Sequence, residues 1–149
     1  MQRLNLPECQ LQLRRKDDAV QVFDRLRQRY VALTPEEWVR QHFVEFLVNQ
    51  CSYPAPRMAN EVRLTLNGMS RRCDSVVYDR EMRPRIIIEY KRPDVALSQR
   101  VFDQICRYNI VMQVDYLIVS NGLQHFCCRM NYDTQTYSFI EQIPSYDSL

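Results

Sequence analysis

Asp74, Glu89 and Lys91 are the residue types that phosphoryl chemistry needs, at a workable spacing. Glu89 and Lys91 lie two apart at the end of Arg85-Ile86-Ile87-Ile88-Glu89-Tyr90, the most β-prone stretch of the chain. A strand there puts both side chains on one face. Asp74 falls on the preceding extended stretch, and antiparallel pairing across the intervening turn would set it beside Glu89. Two carboxylates on one face can hold Mg²⁺ (or Mn²⁺) while leaving positions open for water and a phosphate oxygen. A metal so placed orients and activates water and offsets charge growing on phosphorus. An ammonium beside it can hold the attacking water or stabilise the crowded phosphate. Glutamate–lysine pairs are ordinary on surfaces. Charges that close an Ile-Ile-Ile strand sit instead at the rim of a core, where an unpaired charge is costly.

Fifteen residues after Glu89 comes Gln104, with Tyr108 four residues further on, so a helix stacks the two on one face. Taken alone, Tyr108 reads as a core residue. Together, an amide and a phenol could brace a metal site. Among 20 basic residues only Lys16 and Lys91 are lysines, so a lysine next to carboxylates stands out.

These residues need elements to position them. Thr34-Pro35-Glu36-Glu37 predicts a helix start, with an N-cap, a proline in the first turn and two acids near the positive end of the dipole. Glu37 completes a capping box. Trp38, Phe43, Phe46 and Leu47 share roughly one side, and Ser52-Tyr53-Pro54-Ala55-Pro56 ends the helix. Residues 61–66 alternate, Asn67-Gly68 turns, and 71–78 and 85–90 follow as strands. Ser98 opens a second helix with apolar Val101, Ile105, Tyr108 and Met112. Residues 115–120 read as another buried strand, Asn121-Gly122 as a turn, 123–128 as a strand, and 136–140 as the last strand. Residues 10–14 alternate weakly, and 17–30 fit helix and strand equally well. The order is α/β, a sandwich around a mixed sheet. The expected organisation is a single domain: a β-rich extension over 1–33, a core over 34–143 and a tail over 144–149.

Composition removes whole function classes. The chain has 149 residues and two glycines, Gly68 and Gly122. It therefore has neither a glycine-rich dinucleotide fingerprint nor a G-x-x-x-x-G-K phosphate loop. No C-x-x-C pair exists and His42 and His125 are far apart, so zinc spacing is missing. The six cysteines read as reduced thiols in a cytoplasmic protein. No apolar run is long enough for a membrane span, and the first residues do not read as a secretory signal. Net charge is only +2, but one basic residue, Arg129, lies beyond Arg107, against four acids. Ordinary solvated faces account for that asymmetry ahead of a nucleic-acid groove.

Asp74 … Glu89-x-Lys91 followed by Gln104-x-x-x-Tyr108 resembles the PD-(D/E)XK nuclease superfamily in its Q-x-x-x-Y branch. Thr34-Pro35-Glu36-Glu37-Trp38-Val39-Arg40-Gln41, Arg72-Cys73-Asp74, Glu89-Tyr90-Lys91-Arg92-Pro93, residues 104–109 and Ser120-Asn121-Gly122 resemble the N-terminal nuclease domain of the type I restriction enzyme R subunit. The likeness runs from about residue 11 to 140. It implies a magnesium-dependent DNA endonuclease on a three-layer, restriction-endonuclease-like αβββαβ core, with extended structure over 20–23. It implies Asp74 and Glu89 as metal ligands with the Tyr90 carbonyl, Lys91 as catalytic, and Gln104 and Tyr108 as positioning residues. A further acid is expected on the first helix, with Glu37 as the candidate and Glu45 behind it; a capping role for Glu37 stays open beside it. Arg40, Arg72 and Arg92 flank the motifs as candidate phosphate contacts, with salt-bridged or solvated roles as the alternative. The implied partners are DNA and a separate motor, or methyltransferase and specificity subunits. The R subunit carries an ATP-driven motor after its nuclease, and two glycines exclude one here. ATP dependence is therefore not carried over, and the chain is expected to be a solitary relative or a fragment of something longer. Two other functions stay open: a non-cutting nucleic-acid-binding module, and a protein-interaction module using an exposed tail over 132–149.

Overall fold

The computed structural model describes residues 1–149. Strands β1 (Leu13–Lys16), β2 (Ala19–Asp24) and β3 (Arg29–Ala32) form a small antiparallel sheet. The stretch that fitted helix and strand equally is thus extended. The signal missed in sequence is the β1–β2 turn, where Asp17 (φ 51°) and Asp18 (φ 62°) both take left-handed backbone. Aspartate tolerates that region, and two such residues make a tight hairpin without glycine.

Helix α1 (Pro35–Asn49) begins where its caps dictate, with Thr34 Oγ1 accepting the Glu37 N–H at 3.0 Å. Strands β4 (Met58–Leu66), β5 (Met69–Tyr78) and β6 (Pro84–Tyr90) follow, then helix α2 (Gln99–Ile110), β7 (Tyr116–Ser120), β8 (His125–Asn131) and β9 (Thr136–Ile140). The second sheet runs β4-β5-β6-β7-β8-β9 in space. Only β6 and β7 pair in parallel, joined through α2. The core order is therefore αβββαβ, with one helix on each face of the sheet.

β6 is buried on both faces, which is why three consecutive isoleucines occupy it. Ile86 and Ile88 pack with Phe43, Leu47 and Tyr90 on the α1 side. Ile87 packs with Phe102, Cys106, Leu117 and Val119 on the α2 side. Each isoleucine contributes about 1.5–3 kcal/mol by leaving water. This makes β6 a rigid base for whatever its end carries.

Two expectations are corrected in part. The fully buried stripe of α2 is Phe102, Cys106 and Asn109; Val101 and Ile105 are half-buried, Ile105 at the edge of the core, and Tyr108 faces out. Tyr108 is 50% exposed, and its ring lies under the Arg71 guanidinium. The apolar types at 101, 105 and 108 had suggested a face rotated by about one residue. The tail over 132–149 is exposed along much of its length but anchored near its end: Tyr146 is buried with its hydroxyl on the Tyr78 carbonyl, and the Tyr53 hydroxyl donates to the Pro144 carbonyl. No helix is long and apolar enough to cross a membrane.

Gly122 (φ +85°) sits under the first residues of the chain, and a Cβ there would meet Leu4 Cδ2 at 2.7 Å and Val39 Cγ2 at 3.1 Å. Gly68 (φ +76°) has nothing within 4 Å. Gly68→Ala is expected to cost only the left-handed backbone penalty, about 1–2 kcal/mol. Gly122→Ala is expected to cost more. Urea unfolding of the two variants checks the order.

Candidate active site

The β5–β6 ladder ends with Ser75 opposite Ile88. One step further in the same register stand Asp74 and Glu89. Beyond this point β6 continues beside β7 as far as Tyr90, and β5 continues beside β4. The two strands part between the two carboxylates. The Tyr90 N–H, which points toward β5, donates to Asp74 Oδ2 at 2.9 Å. The Asp74 carbonyl accepts from Arg40 Nη1 at 2.9 Å. Side chains thus satisfy backbone groups where the ladder lapses. On the other flank, Glu61 in β4 has left-handed backbone (φ 52°), and pairing skips it between Asn60 and Val62.

Asp74 and Glu89 stand opposite each other across the fork. Burial, then the Asp74 charge and a hydrogen bond to Asp74, hold the Glu89 carboxyl well above its ordinary value; Lys91 and Asn109 pull the other way. Glu89 and Lys91 line one cleft of 340 Å³ with Arg72, Gln104, Tyr108 and Asn109. The structure therefore gathers Glu89, Lys91, Gln104 and Tyr108 around a single space, with Asp74 against Glu89. A larger cavity of 860 Å³, lined by Phe43, Ile118, Phe126 and Phe139 among others, contains none of them.

The donor set fits a hard divalent cation. Two crowded carboxylates with raised electrostatic cost gain from a cation between them, and Mg²⁺ commonly takes one or two carboxylates while keeping its waters. No group of three or more His, Cys, Asp or Glu converges, so the site is unlike a closed zinc centre.

The helix acid is placed differently from expectation. Glu37 is buried in α1 and accepts from Arg27 Nη2 (2.6 Å), Arg40 Nε (2.8 Å) and Gln41 Nε2 (3.0 Å). It belongs to an ion-pair network, and its half of the capping box does not form. Its neighbour Glu36 is exposed yet feels the site. Partial burial and then the Asp74 charge raise its carboxyl, opposed by Lys91 and Arg40. Local spacing held no signal for this, because Glu37 is taken up by Arg27 from the β2–β3 turn and by Arg40 one turn along α1. Glu45 is engaged by Arg25 at 3.2 Å.

Among the arginines, Arg40 is only 7% exposed and is held by Glu37, by Glu61 at 2.8 Å and by the Asp74 carbonyl. It is not available to a phosphate. Arg92 pairs with its own neighbour Asp94 at 3.2 Å and lies outside the cleft. Arg72 is exposed at the cleft wall, restrained by Glu61 at 2.9 Å.

An αβββαβ sandwich with two carboxylates and a lysine at the end of its central strands defines a restriction-endonuclease-like fold. Residues 35–144 match the family described as type I restriction enzyme R protein N terminus (HSDR_N), and the chain belongs to that family. No curated protein is significantly similar to it. Among solved structures it resembles a fragment described as the HsdR subunit of a type I restriction enzyme from Vibrio vulnificus YJ016 (TM-score 0.52, 16% identity, 77% of this chain and 24% of that one). It also resembles a chain of a DrdV–DNA complex (TM-score 0.44, 18% identity, 71% of this chain and 10% of that one). The chain thus spans a quarter or less of the length of these structures.

Two outcomes follow from the electrostatics. Because Glu89 binds its proton more tightly folded than unfolded, its contribution to stability is greatest below the ordinary glutamate value. That contribution is lost as pH rises toward the folded value. Glu89→Gln is expected to raise the melting temperature at pH 8 in chelator, with the gain vanishing near pH 4; calorimetry across that range checks it. Arg40→Ala leaves Glu37 and Glu61 short of a buried partner and is expected to cost about 3–5 kcal/mol in urea unfolding.

Proposed function

We propose that the chain is a magnesium-dependent endodeoxyribonuclease domain that hydrolyses phosphodiesters. The observation that carries this reading is the convergence of Asp74, Glu89 and Lys91 at the fork, beside a cleft walled by Gln104 and Tyr108. Asp74 and Glu89 are the proposed metal ligands, with the Tyr90 carbonyl as a third. Bound Mg²⁺ would supply charge neutralisation at a phosphate oxygen and a site for orienting water. The chain's own groups do the rest. The Lys91 ammonium steadies negative charge on the crowded phosphate. Gln104 and Tyr108 orient the scissile group from α2. Glu36, not Glu37, is the proposed acid from α1, and Arg72 is the proposed phosphate contact, released from Glu61 when DNA arrives. The cellular setting proposed is the cytoplasm, in restriction of DNA. A separate motor, or methyltransferase and specificity subunits, are the proposed partners.

A second reading, binding without cutting, draws on Glu37, the acid expected from α1, being taken up by Arg27 and Arg40. One experiment separates the two. Supercoiled plasmid should be nicked with Mg²⁺ or Mn²⁺ and left intact with chelator. Asp74→Ala and Lys91→Ala should each lower the rate by about 10²–10³. Salt-dependent DNA binding with no cleavage by the wild type would favour the second reading. Equal cleavage by the variants would refute the first.

A further inference from the structure

We propose that Asn109 is a positioning residue of the candidate metal site: its buried amide holds the Glu89 carboxylate in place and offers an acceptor to water entering the cleft. This rests on the metal-dependent reading of the site and adds a residue to it.

Asn109 occupies a position where packing alone calls for an apolar side chain. It is the third member of the inward stripe Phe102, Cys106, Asn109 and is only 4% exposed. Its Nδ2 donates to the Ile105 carbonyl one turn back, at 2.9 Å. That bond fixes the amide, because the reversed orientation would set Oδ1 against the Ile105 oxygen, acceptor facing acceptor. Oδ1 is then left with no partner, the sole buried side-chain polar atom in the chain so placed. Buried orphans of this kind are uncommon and call for a partner that the protein itself does not supply. The surroundings indicate which. Asn109 lines the same cleft as Glu89, Lys91, Gln104 and Tyr108, and its amide is one of the groups that favour the charged form of the Glu89 carboxyl. Oδ1 is closed to bulk water, so a donor reaching it would have to come with a group bound in the cleft, such as the waters of a hydrated cation. An amide that steadies a ligating carboxylate in this way affects metal affinity without touching the metal.

The test separates metal binding from folding. Free Mn²⁺ is titrated by electron paramagnetic resonance against the full chain, and thermal melts are recorded in chelator. Asn109→Leu fills the apolar position and should melt at or above the wild type, yet bind Mn²⁺ about tenfold or more weakly. Asn109→Ser can still donate to the Ile105 carbonyl but is too short to reach Glu89, so its Mn²⁺ affinity should fall as well. If Asn109→Leu does not fold, Asn109→Ser decides. Wild-type affinity in the folded variants overturns this inference alone. A wild type that binds no more Mn²⁺ than Asp74→Asn/Glu89→Gln overturns the metal reading, and this inference with it.

Discussion

The separation of β5 from β6 one residue past the Ser75–Ile88 pair is the constraint on which the rest of the site depends. A continuous ladder would set Asp74 opposite Glu89 and Cys73 opposite Tyr90, with backbone bonds between the strands and no gap. The gap persists because side chains take over. Asp74 accepts the Tyr90 N–H and Arg40 donates to the Asp74 carbonyl. These contacts belong to a closed circuit. The Tyr90 hydroxyl donates to Ser75, Ser75 to Asn60, and Asn60 to Asp24. Arg27 joins Asp24 to Glu37, and Arg40 joins Glu37 back to Asp74. Every member is spoken for, which is the condition under which a buried polar network stiffens a structure instead of weakening it.

That circuit gives the small N-terminal sheet a purpose. Asp24, at the end of β2, is fully buried; it also accepts from the Leu26 and Arg27 N–H groups and so shapes the turn that aims Arg27 at α1. Without Arg27, Glu37 would lose one of its two cations in a place where desolvated charge is expensive. Arg40 would then hold Asp74 less firmly. The hairpin is thus a brace for the fork, placed on the side of the core away from the cleft.

Much of this was legible in the sequence, and what was not has identifiable causes. The helix start at Thr34, the three central strands and the Asn67-Gly68 turn follow from local chemistry that tertiary contacts did not override. Opposition of Asp74 to Glu89 needed only the register implied by a hairpin. The rotation of α2 was missed because Ile105 and Tyr108 look like core and Asn109 does not. The amide is buried for what lies beside it, and spacing cannot reveal that. Arg40 and Glu37 were assigned to chemistry because their types suit it. Only the fold shows that each is consumed by the other and by Arg27 and Glu61. The Asp17-Asp18 turn lacked the glycine that usually marks it.

The site combines stiffness with access because its parts come from different depths of the protein. Glu89 is fixed at the end of a strand whose isoleucines are buried on both faces, so its carboxylate cannot retreat to solvent and its charge stays costly. Gln104 and Tyr108, on the outer side of α2, stay exposed. A group entering the cleft would therefore meet closely placed carboxyl oxygens on one wall and exposed hydrogen-bonding side chains on the other. Fixed, desolvated charge favours capture of a small hard cation, and an exposed polar wall suits a substrate that must be admitted and released. The same residues in a solvated loop would keep their identity and lose the first of these properties, because water would screen the carboxylates and remove the electrostatic cost that a cation relieves.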